Sequence, residues 1–304
     1  MADRQRVILI AGATASGKSA LALDLAERLD GAVVNADSMQ VYRDLRILTS
    51  RPGVEDLARA PHFLYGHVDA ADAYSAAQFA AEAKRVIAEN SNKSIIFVGG
   101  TGLYFEALTK GLSTAPPVPD TVRSHWREQG RNMPPEALHE ELSRRDPAMA
   151  ARLRPSDPQR IVRALEVFEA TGVSLAEWQA GASIPVVDSA AATRIVLRLE
   201  RADLRNRIAR RFGAMMEQGA LEEVRRLMSR DLDSVLPVMK AIGVPALTLH
   251  LHGRISLEDA VRRAITHTQQ YAKRQETWFR NRLGDWAHLA PEAAQDGDFL
   301  SEIG

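Results

Sequence analysis

Short apolar runs alternate with amphipathic segments in the first hundred residues. Three of these runs predict buried strands, at Val7–Ala11, Ala32–Ala36 and Ile95–Val98. Between them, apolar residues recur every three to four positions, which predicts one helix over Ser19–Leu29 and another from Ser75 to about Glu89. Ser75 and Gln78 have the spacing of a capping box. Strands and helices that alternate in this way indicate a parallel sheet with crossover helices.

The pattern changes at the proline-rich segment 114–119. From there to about Gly181 the periodicity is helical, and no strand pattern interrupts it. A strand is then predicted over Ile195–Leu199, followed by helices over 202–217, 219–229 and 256–282. The simplest architecture is an α/β core formed by residues 1–115 and 190–304, with a helical domain inserted at 116–189.

Composition narrows the class of protein. The 304 residues include no cysteine, which excludes disulfide scaffolds, thiolate metal sites and thiol catalysis. No export signal or membrane-spanning run is apparent, so a soluble, cytoplasmic protein is expected. Lysine plus arginine balances aspartate plus glutamate at 39 each, yet 194–211 and 262–282 are arginine-rich. Such segments suggest a polyanion surface or a phosphate site, although solvated helix faces carry similar charge runs.

The first strand leads into Gly12-Ala13-Thr14-Ala15-Ser16-Gly17-Lys18-Ser19, which fits the phosphate-loop pattern G-x-x-x-x-G-K-[ST]. Glycines let the backbone wrap an anion, and the following helix presents the positive end of its dipole. Lys18 adds a point charge, and the Ser19 hydroxyl is placed to ligate Mg²⁺. The loop therefore predicts a P-loop NTPase-like core that binds a diphosphate or triphosphate, without distinguishing ATP from other donors.

Two further segments lie where the next strands end. Asp37 follows the second strand, at the edge where open α/β sheets bind ligands, but Asp37 and Gln40 also have capping-box spacing. The third strand runs into Gly99-Gly100-Thr101-Gly102, where many P-loop NTPases place a carboxylate. A glycine-lined opening with one hydroxyl favours a planar substrate over water activation. A helix cap is the alternative role for Thr101.

Together these motifs resemble the tRNA dimethylallyltransferase (IPP transferase) family over about residues 6–286. The resemblance is carried by Gly12–Ser19, Asp37–Tyr42, Val98–Tyr104, Asp157–Val167 and Tyr271–Arg280. It implies transfer of a dimethylallyl group from dimethylallyl diphosphate to the exocyclic amine of a tRNA adenosine beside the anticodon. It further implies that Asp37 is the general base and that Thr101 positions the reacting centre. The phosphate loop, Mg²⁺ at Ser19, and one or both of Arg207 and Arg211 would hold the diphosphate.

The resemblance also implies a surface for the tRNA anticodon stem-loop. Its expected tRNA contacts are Asp37, Ser38, Met39, Gln40, Thr101, Arg123, Gln159, Arg160, Ile161, Val162 and Arg163. The helical insertion would close over the stem-loop, and the protein is expected to be a monomer that does not contact membranes. Tyr271, Trp278 and Phe279 are interpreted as core residues. The family's usual proline at position 13 is alanine here, a change that leaves the loop N–H groups in place.

Two other functions remain compatible with the motifs. A small-molecule or nucleotide kinase would use the same phosphate loop, and it would consume ATP. A non-catalytic, nucleotide-gated RNA-binding protein would not depend on the Asp37 carboxylate. Neither alternative requires an isoprenoid donor.

Overall fold

The computed structural model describes residues 5–113, 115–181 and 183–295. The chain forms two compact units. One comprises Met1–Thr109 with Val186–Gly304, and the other comprises Lys110–Pro185. The change in sequence pattern predicts the corresponding boundaries at 115/116 and 189/190.

The first unit is built on a parallel sheet that has six strands in the described part of the chain. The strands are β1 (Val7–Gly12), β2 (Ala32–Asn35), β3 (His62–Phe63), β4 (Ile95–Gly99), β5 (Thr193–Leu197) and β6 (Ala287–Leu289). Their order across the sheet is β3-β2-β4-β1-β5-β6. The α/β class expected from the sequence is confirmed.

Helices cover the sheet and form the second unit. In chain order they are α1 (Lys18–Arg28), α2 (Val54–Arg59), α3 (Ala76–Glu89), α4 (Gly102–Thr109), α5 (Asp120–Asn132), α6 (Pro135–Arg145), α7 (Pro147–Ala150), α8 (Pro158–Thr171), α9 (Leu175–Ala180), α10 (Arg201–Glu217), α11 (Ala220–Met228), α12 (Val244–Leu251) and α13 (Leu257–Arg282). Short 3₁₀ helices occupy Pro237–Lys240 and Ala293–Gln295. No helix in the described ranges has the length and apolar character needed to cross a membrane.

Strand β1 shows why the apolar runs are continuous rather than alternating. Ile8 and Ile10 pack on one face of the sheet with Leu21 of α1. Leu9 packs on the other face with a cluster that includes Phe279 of α13. Because helices bury both faces of a parallel sheet, every position along a central strand is apolar.

The capping box that precedes α3 is confirmed. The Ser75 hydroxyl accepts the Gln78 N–H, and the Ser75 N–H donates to Gln78 Oε1. Strands β3 and β6 were not predicted, because runs of two and three residues are too short to show a period. Strand β5 begins and ends two residues before the predicted span.

The second unit, α5–α9, has its own apolar core. Leu138, Leu142 and Leu165 are fully buried in it. The Trp126 indole N–H donates to Glu169 over 3.0 Å. The buried Asp146 carboxylate accepts the Met149 N–H at the start of α7 and the Ser174 hydroxyl before α9. Helical periodicity from 116 to 181 therefore reflects a small helical bundle rather than extensions of the sheet.

The carboxyl ends of β1, β2 and β4 meet at one edge of the sheet in the first unit. Ala11 is in register with Gly99, and Asn35 is in register with Val98. The phosphate loop (residues 12–19) follows β1, the Asp37 segment (residues 37–40) follows β2, and the turn at residues 100–101 follows β4. In open parallel sheets this edge is where ligands bind.

A buried carboxylate anchors the segment that follows β2. Glu223 of α11 is only 4% exposed, and Oε1 accepts the Arg46 and Ile47 N–H groups over 2.6 and 2.8 Å. Its Oε2 accepts the Leu48 N–H over 2.9 Å. These three charge-assisted hydrogen bonds fix the loop that runs from Asp37 to Ser50 against α11.

We expect Glu223→Ala to lower the free energy of unfolding by about 3 kcal/mol, because it leaves three backbone donors without their charged acceptor. Urea denaturation would measure the change. Glu222→Ala is the matched control, since the neighbouring side chain is 55% exposed and pairs with Arg225 on the surface. A control loss as large as that of Glu223→Ala would contradict this role.

Candidate active site

The loop between β1 and α1 has the conformation that its glycines predict. Gly17 has φ +94°, a left-handed backbone that favours glycine, and α1 begins at the next residue. The Ser16 N–H donates to the Ala13 carbonyl over 3.1 Å, which folds the loop back on itself. The loop thus curls around the N-terminus of α1, the arrangement that binds phosphate groups.

A cavity of about 540 Å³ opens beside this loop. Its polar lining residues include Lys18, Ser19, Ser50, Arg207, Arg210 and Arg211. Arg211 also donates to the Thr14 hydroxyl inside the loop. The structure therefore brings both predicted arginines to the phosphate loop, and it adds Arg210 and Ser50, which the motifs had not indicated. A cavity lined by four cations is suited to a polyanionic group.

The charge state of Lys18 would change when an anion binds nearby. Its ammonium donates to the Ala13 carbonyl over 3.3 Å. Burial lowers the pKa of Lys18 to about 8, the Asp37 charge opposes that shift, and the Arg211 charge adds to it. An anion in the cavity would favour the charged ammonium, so ligand binding and protonation of Lys18 are coupled.

Asp37 is held by a short turn rather than at a helix cap. Its N–H donates to Oδ1 of the buried Asn35 over 2.8 Å, and its own Oδ1 accepts the Met39 N–H over 2.9 Å. No helix begins here, and Gln40 Nε2 donates to the Thr49 carbonyl over 2.8 Å. The capping-box interpretation is therefore wrong. Asp37 Oδ2 accepts no hydrogen bond from the residues that the structure describes, so this oxygen is open to a ligand.

The charge of Asp37 affects the pKa values of several groups around it. Burial lowers the pKa of Arg211, and the Asp37 carboxylate opposes that shift. Burial also raises the pKa of Tyr65, Tyr104 and Tyr271, and Asp37 is the next cause for all three. One carboxylate thus lies among two cations and three phenols at the edge of the sheet.

Thr101 links the turn after β4 to the Asp37 segment. Its hydroxyl oxygen accepts the Ser38 N–H over 2.9 Å and donates to the Ser38 hydroxyl over 3.2 Å. The Thr101 N–H donates to the Ala36 carbonyl over 3.2 Å. Thr101 stands directly before α4, as the helix-cap alternative expects, but its hydroxyl bonds Ser38 and so joins two strand ends.

Helix α13 contributes residues that the sequence interpretation left in the core or without a role. Gln275 Oε1 accepts the Thr14 N–H over 3.0 Å, and Nε2 donates to the Gly100 carbonyl over 2.8 Å. Phe279 is buried as expected, and Trp278 packs against the same cluster. The Tyr271 hydroxyl instead faces Thr101 and Gln275 beside Asp37, so its interpretation as a core residue was incomplete.

Ser19 is compatible with a magnesium ion held mainly by phosphate oxygens. It is exposed and lines the cavity beside Lys18. Among the residues that the structure describes, no cluster of three His, Asp or Glu side chains could hold a metal by itself. Mg²⁺ characteristically takes few protein ligands and binds through substrate phosphates and water, which this arrangement permits.

In the second unit, the predicted tRNA contacts differ in accessibility. Gln159 and Arg160 are exposed in the first turn of α8, where Asp157 caps the helix. Arg160 and Arg163 pair with Asp157 and Glu166 over 3.5 and 3.3 Å.

Arg123 is also paired, with Asp120 over 2.9 Å, and it donates to the Val118 carbonyl. Ile161 is 0% exposed in the core of this unit, so the expectation of a side-chain contact with tRNA needs correction. Val162 packs partly into the same core beside Gly130. Ile161 and Val162 therefore pack in the helical bundle. The polar residues beside them, Gln159, Arg160 and Arg163, remain the candidates for RNA contact.

The fold and the site define a P-loop-like α/β protein in which a cation-lined cavity lies near a carboxylate. The sequence matches the family described as IPP transferase over residues 40–282. It is 53% identical to the tRNA dimethylallyltransferase of Azorhizobium caulinodans over 291 residues, which is 95% of this chain and 93% of that protein. It is 54% identical to that of a Bradyrhizobium strain over 292 residues, or 95% and 96% of the two chains.

Solved structures agree with the sequence comparison. A eukaryotic dimethylallyltransferase acting on tRNA superposes with a TM-score of 0.79 at 29% identity, covering 96% of this chain and 74% of that one. The full-length tRNA isopentenylpyrophosphate transferase of Bacillus halodurans gives a TM-score of 0.69 at 32% identity, covering 99% and 94%. The chain belongs to the IPP transferase family, and it is a transferase.

We expect the affinity for inorganic diphosphate to fall as the pH rises through 8, because the lowered pKa of Lys18 makes the ammonium lose its charge there. The dissociation constant should rise by up to about tenfold per pH unit above that point. Isothermal titration calorimetry between pH 7 and 9.5 would measure it.

Lys18→Arg is the matched control for this titration, since its guanidinium stays charged across the range. Ionisation of diphosphate itself affects both proteins equally, so their difference isolates Lys18. Parallel pH profiles for the two proteins would contradict the assignment.

Proposed function

We propose that the protein transfers a dimethylallyl group from dimethylallyl diphosphate to the exocyclic N6 amine of the adenosine beside the anticodon in tRNA. The observation that carries the proposal is the shared sheet edge, where a cation-lined phosphate cavity adjoins the free Oδ2 of Asp37. Membership of the IPP transferase family and the names of the relatives support the same reaction.

The acceptor amine needs a base because its lone pair is delocalised into the adenine ring. As the N6–C1 bond forms, the amine must lose a proton, and Asp37 Oδ2 would take it. The Met39 N–H on Oδ1 fixes the carboxylate so that Oδ2 keeps one orientation. General base catalysis of this kind contributes about 10²–10⁴-fold.

The donor loses its diphosphate as the C1–O bond breaks, and the electron pair leaves with that oxygen. Lys18, Arg207, Arg210 and Arg211 line the cavity in which the departing charge would lie. Fixed cations in a partly buried site stabilise charge that develops in the transition state without having to reorganise. A Mg²⁺ held by Ser19 and the phosphates would supply further neutralisation of that charge.

The adenine must leave its stack in the anticodon loop to reach this edge. Within the first unit, the segment from Asp37 to Gln40 and the Thr101 hydroxyl would contact the displaced base. In the second unit, Gln159, Arg160, Arg163 and Arg123 would contact the stem-loop. We take the enzyme to act as a cytoplasmic monomer.

A kinase is the alternative that an isolated phosphate loop would also allow. The IPP transferase family match and the relatives named tRNA dimethylallyltransferase favour prenyl transfer over it. The decisive experiment is mass analysis of unmodified tRNA after incubation with the protein, Mg²⁺ and dimethylallyl diphosphate, with ATP omitted. Product that forms only with ATP, or ADP without a prenylated tRNA, would favour the kinase.

We expect Asp37→Asn to lower kcat by about 10²–10⁴-fold while tRNA affinity changes little. The amide oxygen can still accept the Met39 N–H, so the turn is retained and only the base is lost. Single-turnover kinetics and filter binding would separate the two effects. A variant that retains wild-type turnover would overturn the role of Asp37.

We expect Arg160→Ala to weaken tRNA binding and to reduce the slope of log affinity against log salt by about 0.7–0.9, the value for one phosphate contact. Arg144→Ala is a matched control. Both arginines pair with a carboxylate three residues before them, and their side chains are 72% and 73% exposed. Equal slopes for the two variants would remove Arg160 from the RNA surface.

A further inference from the structure

Gln275 hydrogen-bonds both the phosphate loop and the turn after β4. It lies on α13 and is buried. Its oxygen accepts the Thr14 N–H over 3.0 Å, and its nitrogen donates to the Gly100 carbonyl over 2.8 Å. The Thr14 N–H is therefore satisfied by protein rather than left for a ligand, so Gln275 shapes the loop from its outer side.

The same residue is part of a longer series of polar contacts. The Tyr271 hydroxyl, one turn earlier on α13, faces the side chains of Gln275 and Thr101. Thr101 in turn holds the Ser38 N–H, beside Asp37. The contacts run from the loop that would hold the diphosphate to the segment that carries the carboxylate, and every member belongs to the first unit.

An amide of this length satisfies both partners. The Gln275 side chain offers one acceptor and one donor in a single plane, matched to an N–H and a carbonyl. A carboxylate would set a second acceptor against the Gly100 carbonyl, and a thioether would satisfy neither group. The site also makes room for the amide, since a methyl group at Gly100 would lie 2.2 Å from Nε2.

We propose that Gln275 is a positioning residue that sets the distance between the phosphate loop and the Asp37 segment, and so aligns the donor with the acceptor amine. The proposal rests on the proposed function. Gln275 itself touches neither substrate. It acts through Thr14 on one side and through Gly100, Tyr271 and Thr101 on the other.

The test compares Gln275→Met and Gln275→Glu with Glu276→Gln. Methionine keeps the length and loses both hydrogen bonds, whereas glutamate keeps the acceptor and loses the donor. Glu276→Gln is the control, because it changes the adjacent residue of the same helix to the same side-chain type. Each full-length variant is assayed for kcat, for KM of dimethylallyl diphosphate, for tRNA affinity and for melting temperature.

If Gln275 aligns the donor with the acceptor, Gln275→Met should lower kcat by about 10²-fold, which is the cost of a displacement near 1 Å. Substrate affinities should stay within about threefold of wild type, since each half-site remains intact. Glutamate should lose at least as much kcat as methionine, because its second oxygen is set against the buried Gly100 carbonyl. The control should match wild type.

Other outcomes would overturn the proposal. A raised KM for the donor with unchanged kcat would make Gln275 part of the phosphate site alone. A lower melting temperature with unchanged kcat per folded molecule would make it a structural residue. If wild type and Glu276→Gln also formed no prenylated tRNA, the proposed function would have failed instead, so the two failures are distinguishable.

A double-mutant cycle gives a second test. If Gln275 and Thr101 act through one series of contacts, the Gln275→Met/Thr101→Ala variant should lose little more kcat than the worse single variant. Residues that share a network are non-additive in this way, whereas independent residues multiply their losses. Multiplicative losses would contradict the coupling.

Discussion

The site depends on how the positive charges of Lys18 and Arg211 are divided between the phosphate loop and the Asp37 carboxylate. The Asp37 charge acts to raise the pKa of both cations. Even so, Lys18 donates to the Ala13 carbonyl and Arg211 donates to the Thr14 hydroxyl. The positive charge is thereby kept at the loop, and within the described residues the second carboxylate oxygen of Asp37 accepts no hydrogen bond. A direct ion pair between one of these cations and Asp37 would weaken both the proposed diphosphate binding and the proposed proton removal.

This separation is maintained by groups that lie away from the cavity. The Asn35 side chain holds the Asp37 backbone by accepting its N–H, and the Met39 N–H donates to the Asp37 carboxylate. Glu223 fixes the following loop to α11, and Gln275 fixes the phosphate loop to β4. Each support is a polar group buried against backbone partners, so the geometry of the site is tied to the stability of the sheet edge.

Local sequence predicted the parts of this arrangement that are built locally. The strand, glycines and lysine of residues 7–19 are contiguous, so their pattern indicated both the fold and a phosphate site. Gln275 could not be found in this way, because it meets Thr14 from 261 positions along the chain. Spacing also could not separate a capping box at Asp37 from the turn that forms, since both use the same residue types. Ile161 shared a motif with Arg160 and Arg163, and only burial distinguishes its role.

The insertion of the helical unit has a consequence for synthesis of the chain. A ribosome releases β1 to β4 and the phosphate loop first, then the helical unit, and only afterwards α10 and α13. A nascent chain that ends at Thr109 therefore carries the glycine-rich loop without Arg211 or Gln275. The three arginines that line the cavity arrive only with α10, and Gln275 arrives later still with α13, so the unfinished chain carries one of the four cations of the completed site.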